Sequence, residues 1–347
     1  MKTDTVRFGL YGCNPYRTGS LMAAATACCA GKVSIAACYD VDRAKVDAMA
    51  GMYQAKACYD LLSFQKADFN VAFVALPPFL HPEAFAACAQ AGKAIYLEKP
   101  VCVDDAGEER LIAAMMRDKP ACYVGLSAQY IAPHRKALEI RRRADCGGFI
   151  ACHHRRFGAS TGQLPAALNW RHKLEQSGGE LNQHCCHDMH YLRLLAGDPE
   201  SVMTMTCTLP SFQPAHEEED LTACIRFKQG MAVFGLSQRA HRRHLTGHIH
   251  MENLAIQYDW ATHSRVRVYK DRPRAAEETY EWDHSLGTPT AEDLNVLQMA
   301  DFLDAFRNGR PMPITLSDGI QAYRMIRAIR ESYRTRREVS VPLPVVF

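Results

Sequence analysis

The sequence has little net charge, few tryptophans and no long apolar run. Its 41 lysines and arginines nearly balance 38 aspartates and glutamates, leaving a formal charge of +3 at pH 7. That excess is too small to argue for nucleic acid or an anionic membrane as a partner. No stretch approaches the ~20 consecutive apolar residues of a bilayer-spanning helix. Internal repeats and low-complexity segments are absent too. Cysteine is plentiful, at 14 in 347 residues, but its spacing is irregular and the chain is long. Reduced thiols of a cytoplasmic protein fit this better than a disulfide framework. A chain of this length has room for about two domains of roughly 150 residues each.

What is present begins as alternating strands and helices. Val6–Tyr11 reads as a strand, Gly12–Gly19 as the turn after it, and Ser20 to about Ala30 as a helix with Ser20 as N-cap. Val33–Tyr39 is a second strand ending at Asp40. This is the layout of a dinucleotide-binding βαβ unit, in which a helix N-terminus cradles a pyrophosphate. The glycine fingerprint is broken: Gly12 fits its first position, Asn14 stands at the second and Arg17 at the third. Asn14 tolerates the left-handed conformation better than other non-glycine residues, and is expected to keep the turn that way. Asp40 is placed to bind a ribose diol and repel a 2′-phosphate, which favours NAD over NADP.

Asn70–Leu76 is a later strand closing in Pro77-Pro78, and a helix starts near His81-Pro82. The apolar strand that ends at Leu97 leads into Glu98-Lys99-Pro100. Adjacent parallel strands therefore end at Pro77 and Lys99, on the sheet edge where open α/β folds bind ligands. Preceding a proline biases Lys99 toward extended backbone, and burial at such a place is how lysines acquire useful pKa values.

The second half changes pattern. Val124 to Ala144 reads as a crossing strand and an exposed helix. Phe149–Phe157 alternates, with His153 and Arg155 on one face and His154 and Arg156 on the other. His153 and Arg155 are the pair expected to face a ligand; the alternative is a charged sheet edge that resists aggregation. In Asn182–His190, helical spacing puts Gln183, His187 and His190 on one stripe, with Asp188 about 100° round from His187. That cluster holds no CxxC or HxxxH pair, so no metal is expected, and Cys185 and Cys186 read as packing residues. Strands follow at Ser201–Thr208 and Leu221–Ser237, separated by a solvated acidic loop at Glu217–Asp220. His241-Arg242-Arg243-His244, His248 and His250 form a second basic cluster. Its convergence with Arg155 and Arg171 would imply an anionic substrate; the alternative is an unrelated exposed strand.

Several ordered motifs resemble the glucose–fructose oxidoreductase/inositol dehydrogenase (Gfo/Idh/MocA) superfamily of NAD(P)-dependent enzymes. They are Ala75–His81, Glu98-Lys99-Pro100 after Ala91-Gly92-Lys93, and Ser177–Leu181 leading to the histidine helix and Gly197-Asp198-Pro199. Phe302–Pro311 resembles the family's close. The resemblance implies an α/β protein: an N-terminal doubly wound Rossmann domain, 1–122, and a C-terminal α+β substrate and oligomerisation domain, 123–347, with a large, mostly antiparallel sheet. It implies NAD contacts from Gly12, Asn14, Pro15, Tyr16, Asp40, Leu76, Pro77, His81, Glu98 and Lys99, and substrate contacts from Gln129, His153, Arg155, Trp170 and Arg171. Lys99 would polarise the reacting oxygen, His187 would act as acid/base, and Gln183 and His190 would orient the substrate. Gln183 stands where the family has an aspartate, and an amide carries no proton usefully. The implied activity is oxidation of a secondary hydroxyl on a sugar or polyol derivative, in a homodimer or homotetramer. The rivals are a redox-neutral NAD-dependent glycosidase and a cofactor-sensing regulator without catalysis.

Overall fold

The computed structural model describes residues 4–158, 170–171, 173–207, 220–238, 240, 244–260, 263–270, 276–283 and 293–347. Residues 241–243 of the basic cluster and 217–219 of the acidic loop lie outside the described residues.

The first sheet has strands β1 (Val6–Tyr11), β2 (Val33–Tyr39), β3 (Lys56–Cys58), β4 (Val71–Val74), β5 (Ala94–Leu97) and β6 (Cys122–Val124). All pairs are parallel, in the order β3-β2-β1-β4-β5-β6. β4, sequence VAFV, is buried throughout, as expected of a strand covered by helices on both faces. The strand order reverses between β1 and β4, which opens a crevice at their carboxyl ends. β6 lies across the expected domain boundary at 122.

The first helix runs Arg17–Cys28, starting three residues before the expected Ser20. Asn14 is the reason. Its Oδ1 accepts the backbone N–H groups of Tyr16 (2.9 Å) and Arg17 (3.1 Å), capping the helix early. Ser20 falls inside the first turn, where its hydroxyl donates to the Arg17 carbonyl. Asn14 also does not take the left-handed conformation; that falls on Gly12, at φ +101°. A Cβ at Gly12 would lie 2.4 Å from the Ala75 carbonyl oxygen, so a side chain there would force the ends of β1 and β4 apart.

The second sheet contains β7 (Phe149–Phe157), β8 (Pro199–Cys207), β9 (Asp220–Phe227), β10 (Met231–Ser237), β11 (His244–Met251), β12 (Leu254–Trp260), β13 (His263–Lys270), β14 (Glu278–Asp283) and β15 (Val339–Ser340). Their order is β14-β13-β12-β11-β7-β10-β9-β8-β15, antiparallel except for β7 with β10. Strict burial alternation along β9 and β11 marks one covered and one open face. Helices Ala132–Arg141 and Leu316–Thr335 lie against the covered face. The helix Ala132–Arg141 is therefore not the exposed one its sequence suggests. Ala132, Pro133, His134, Ala137, Leu138 and Ile140 are buried, and His134 stacks on Tyr191 with centroids 3.9 Å apart.

One aromatic ladder joins the two halves. Phe73, Tyr96 and Tyr123 stack across β4, β5 and β6 at 4.9 and 5.0 Å. Phe302, from the late helix Leu294–Asn308, meets Tyr96 edge-on at 5.3 Å. It also touches Phe8 and Tyr123 and is fully buried. Phe302→Ala should cost about 3–5 kcal/mol through lost transfer energy and a cavity. A clearly lower urea midpoint for the variant is the expected reading; an unchanged midpoint would show that the ladder does not hold the halves together.

Candidate active site

Three segments meet at the crevice. The first is the turn from Gly12 to Arg17. The second comprises the strand ends Ala75–Pro78 and Glu98–Pro100, from adjacent β4 and β5. The third is a π-helical turn, Leu181–Cys185, that runs straight into the α-helix Cys186–Ala196. They enclose a cavity of about 270 Å³, lined by Asn14, Arg17, Ala75, Leu76, Pro77, Pro78, Glu98, Lys99, Pro100, Ser127, Trp170, Arg171, Gln183 and His187.

Lys99 is the group reaching across the cavity. Its Nζ donates to the main-chain carbonyl of Gln183 at 2.6 Å. Burial pushes the ammonium pKa below its usual 10.5; nearby Arg17 and Arg171 push the same way, while Cys186 and Glu98 oppose. Glu98 itself is 5% exposed. Its Oε1 accepts from Arg17 Nε at 3.0 Å and lies 2.9 Å from the second guanidinium nitrogen. Arg17 also donates to Asn295 Oδ1 at 3.1 Å, tying the turn to the late helix.

His187 faces Lys99 across the cavity, and its tautomer is determined. The backbone N–H of Ser127 donates to His187 Nδ1 at 3.0 Å. A nitrogen that accepts has no proton, so the neutral ring carries its hydrogen on Nε2. Burial holds the pKa of His187 well below 6.5, helped by Lys99 and Arg156. The ring is thus a neutral donor near neutral pH, which refines the expected acid/base role.

Gln183 holds two cavity groups at once. Besides taking Lys99 on its carbonyl, its Oε1 accepts from an Arg171 guanidinium nitrogen at 3.0 Å and its Nε2 donates to the Arg171 carbonyl at 3.0 Å. The Arg171 guanidinium lies over the Trp170 ring, 4.6 Å from its centroid.

Other expected residues sit elsewhere. Gln183 and His187 line the cavity, whereas His190, nearly one turn further along the helix Cys186–Ala196, does not. His190 is 1% exposed and lies 3.4 Å from Gln129, which is also outside the cavity lining. Burial lowers the pKa of His190 to about 4. His81 is fully buried and outside the cavity lining, with Nδ1 2.7 Å from the Pro100 carbonyl, so it braces the strand ends. Pro15 and Tyr16 stand exposed on the turn.

His153 and Arg155 point away from the cavity. They lie on the open face of the second sheet, in a shallow groove with Thr246, Gly247, His248 and His250. Of the two readings of that basic cluster, convergence of Arg155, His248 and His250 with Arg171 does not occur, and the separate exposed strand does. Alternation established the two pairs but not which face is inward. The inward pair is buried with Asp188. His154 Nε2 lies 2.7 Å from Asp188 Oδ1, and Arg156 Nε donates to Oδ2 at 2.6 Å. Arg156 and His154 outweigh burial and hold the Asp188 carboxyl far below the usual carboxylate range. Ser127, Arg17 and Asn295 were not singled out by sequence as site groups. Arg17 left one trace, a basic residue at the third glycine position of the fingerprint.

The turn fits a dinucleotide. Asp40 closes β2 with one carboxylate oxygen on the Cys13 N–H (2.8 Å) and the other on the Asp42 N–H (3.0 Å), leaving lone pairs on both oxygens for ribose hydroxyls. Asn14 spends its oxygen on the helix N-terminus, and its amide N–H₂ has no hydrogen-bond partner among the described residues.

Comparisons agree with this geometry. Residues 6–126 match the model of an oxidoreductase family's NAD-binding Rossmann fold, and residues 147–343 match that family's C-terminal alpha/beta domain. The chain belongs to this GFO_IDH_MocA oxidoreductase family, and its N-terminal part is the family's NAD-binding Rossmann fold. Inositol 2-dehydrogenase of Rhizobium meliloti is 23% identical over 350 residues, covering 97% of this chain and 99% of that one. A 2,7-anhydro-N-acetylneuraminate hydratase of Escherichia coli is 26% identical over 148 residues, 42% of this chain and 39% of that one. The chain matches about half or less of the length of this hydratase and of two other curated relatives. A levoglucosan dehydrogenase structure with NADH and levoglucosan superposes with a TM-score of 0.82 at 19% identity, over 97% of this chain and 99% of that one.

Nitrogen-15 NMR checks the tautomer. His187 should show a protonated Nε2 and an unprotonated Nδ1 unchanged from pH 6 to 8; an Nδ1–H signal, or titration in that window, would contradict the assignment.

Proposed function

We propose that this family member oxidises a secondary hydroxyl of a sugar or polyol derivative, anionic derivatives included, with Lys99 as proton acceptor. The observation that carries this reading is the pairing of a half-buried lysine with a depressed pKa and a histidine locked as an Nε2–H donor, across one cavity beside the dinucleotide turn. Bound NAD supplies the hydride chemistry. Neutral Lys99 takes the hydroxyl proton, and His187 Nε2–H donates a hydrogen bond to the same oxygen as negative charge grows there. In the reverse direction Lys99 returns its proton. Gly12, Asn14 and Asp40 would hold the dinucleotide, with Leu76 and Pro77 against its reactive end. A homodimer or homotetramer formed over the open face of the second sheet, and a cytoplasmic location, belong to the same reading; no helix among the described residues is long and apolar enough to cross a membrane.

A second reading is favoured by the hydratase relatives and by the neutral side chain at Gln183: redox-neutral turnover, in which oxidation, elimination, addition of water and reduction leave NAD unchanged overall. A glycosidase would be one such enzyme. Net NADH accumulation during turnover supports the dehydrogenase; product formation with catalytic NAD and no net absorbance change supports the rival.

Lys99→Met should abolish hydride transfer and leave NADH binding by fluorescence titration within about twofold; unchanged turnover would overturn the assignment. Because only neutral Lys99 accepts a proton, the oxidation rate should rise with pH through a midpoint below 10.5. His187 should add no limb between pH 6 and 8. A profile flat up to pH 10 would contradict this.

A further inference from the structure

The open face of the second sheet holds a cavity that the oxidoreductase reading does not use. It is a shallow groove of about 320 Å³, lined by His153, Arg155, Thr246, Gly247, His248 and His250. None of these residues lines the cavity around Lys99. β7 and β11 run antiparallel side by side, with His153 opposite His248 and Arg155 opposite Thr246. His250 is one alternation further along β11, so its side chain falls on the same face. Like charges directly opposite one another on neighbouring strands destabilise a sheet. Three imidazoles and a guanidinium are nevertheless gathered in one groove.

The neighbouring strands do little to compensate. β10 places Val233 beside His153 and Gly235 beside Arg155. β12 places Ala255 beside His250, Gln257 beside His248 and Asp259 beside Thr246. Among the described residues, Asp259 is the one carboxylate in these direct positions. On its other side it faces Arg265, which is paired with Glu281. Burial lowers the pKa of His248, and the nearby charges of His250, His153 and Arg155 lower it further. The four groups therefore act on one another, and an anion among them would relieve the repulsion.

We propose that this groove binds the phosphate of a small phosphorylated metabolite, at a place separate from the substrate site. A phosphate group carries about −1.5 to −2 charges at neutral pH and three terminal acceptor oxygens. Arg155 offers a planar fork of N–H donors, the imidazoles offer ring N–H groups and Thr246 a hydroxyl. A tetrahedral oxyanion can take donors from both strands at once, whereas a planar carboxylate with two oxygens would use fewer of them. The negative charge raises the pKa of His248, so binding and proton uptake are linked. A homodimer formed over this face would enclose the anions and remove the repulsion between two facing cationic grooves. The inference goes beyond the oxidoreductase reading and does not rest on it.

Pyrophosphate and glycerol 3-phosphate, with glycerol as the neutral control, are titrated by calorimetry into the NADH-loaded protein, in which the dinucleotide turn is filled. Both anions should bind, glycerol should not, and added salt should weaken the binding. Arg155→Ser and the double variant His153→Gln/His248→Gln should each lower anion affinity about tenfold or more, with NADH affinity at the wild-type level. Sulfate does not change protonation between pH 6 and 8. It should bind about threefold or more tightly at the lower pH, and the double variant should lose most of that difference. No anion binding, or sulfate affinity independent of pH, would overturn the proposal. Binding that survives in both variants belongs to the cavity around Lys99 and would also overturn it. Sedimentation tests for a second copy as the occupant: Arg155→Ser would then change the assembly state while the anions leave the calorimetric trace flat, and the groove would not be a phosphate site.

Discussion

The site depends on one hydrogen bond between the two halves of the chain, from Lys99 Nζ to the carbonyl of Gln183. It does two things. It directs a long flexible side chain into a crevice that parallel strand ends would leave open, and it joins the Rossmann sheet to the π-helical turn that carries the opposite wall. The lysine is also partly withdrawn from water, so its charged form is disfavoured, and a group that is usually a cation becomes usable as a base. The aromatic ladder through Phe302 and the Arg17–Asn295 contact keep the halves registered for that bond.

Charge is kept in separate compartments. Arg17 and Glu98 neutralise each other beside the dinucleotide turn. Asp188, His154 and Arg156 form a fully paired buried network under the histidine helix, directed at the sheet and away from the cavity. Breaking such a network by removing one partner is typically far costlier than its net worth. This explains how an aspartate next to His187 in sequence can have no part in the cavity. What remains facing the cavity, among the described residues, is an uncharged histidine, a lysine biased to neutrality and an arginine held by an amide.

Much of this was legible in the sequence, and the limits have physical causes. Lys99, Gly12 and Asp40 could be placed because a strand end, a tight turn and a proline constrain the backbone locally. His187 could be placed because its helix is punctuated by Ser177-Gly178-Gly179 and Gly197. Strand alternation separated His153 and Arg155 from His154 and Arg156, but which face turns inward depends on helices packed from elsewhere in the chain. The stripe through Gln183, His187 and His190 runs along the helix axis further than the cavity reaches, and the extent of the cavity depends on strand ends elsewhere in the chain. The tautomer of His187 was beyond reach, because it depends on a backbone N–H sixty positions away at Ser127. Asn14 misled in the same way. Its tolerance of the left-handed region was the local expectation, whereas its side chain caps the helix and leaves the positive φ to Gly12.

The central claim is that Lys99 is held where its neutral form is favoured, and its titration tests this most directly. With lysine side chains labelled at carbon-13 ε, the Lys99 resonance is identified by its loss in Lys99→Met and followed against pH in the NADH-loaded protein. Titration at a midpoint clearly below the surface lysines near 10.5 is the predicted result. A midpoint together with, or above, those lysines would contradict the account.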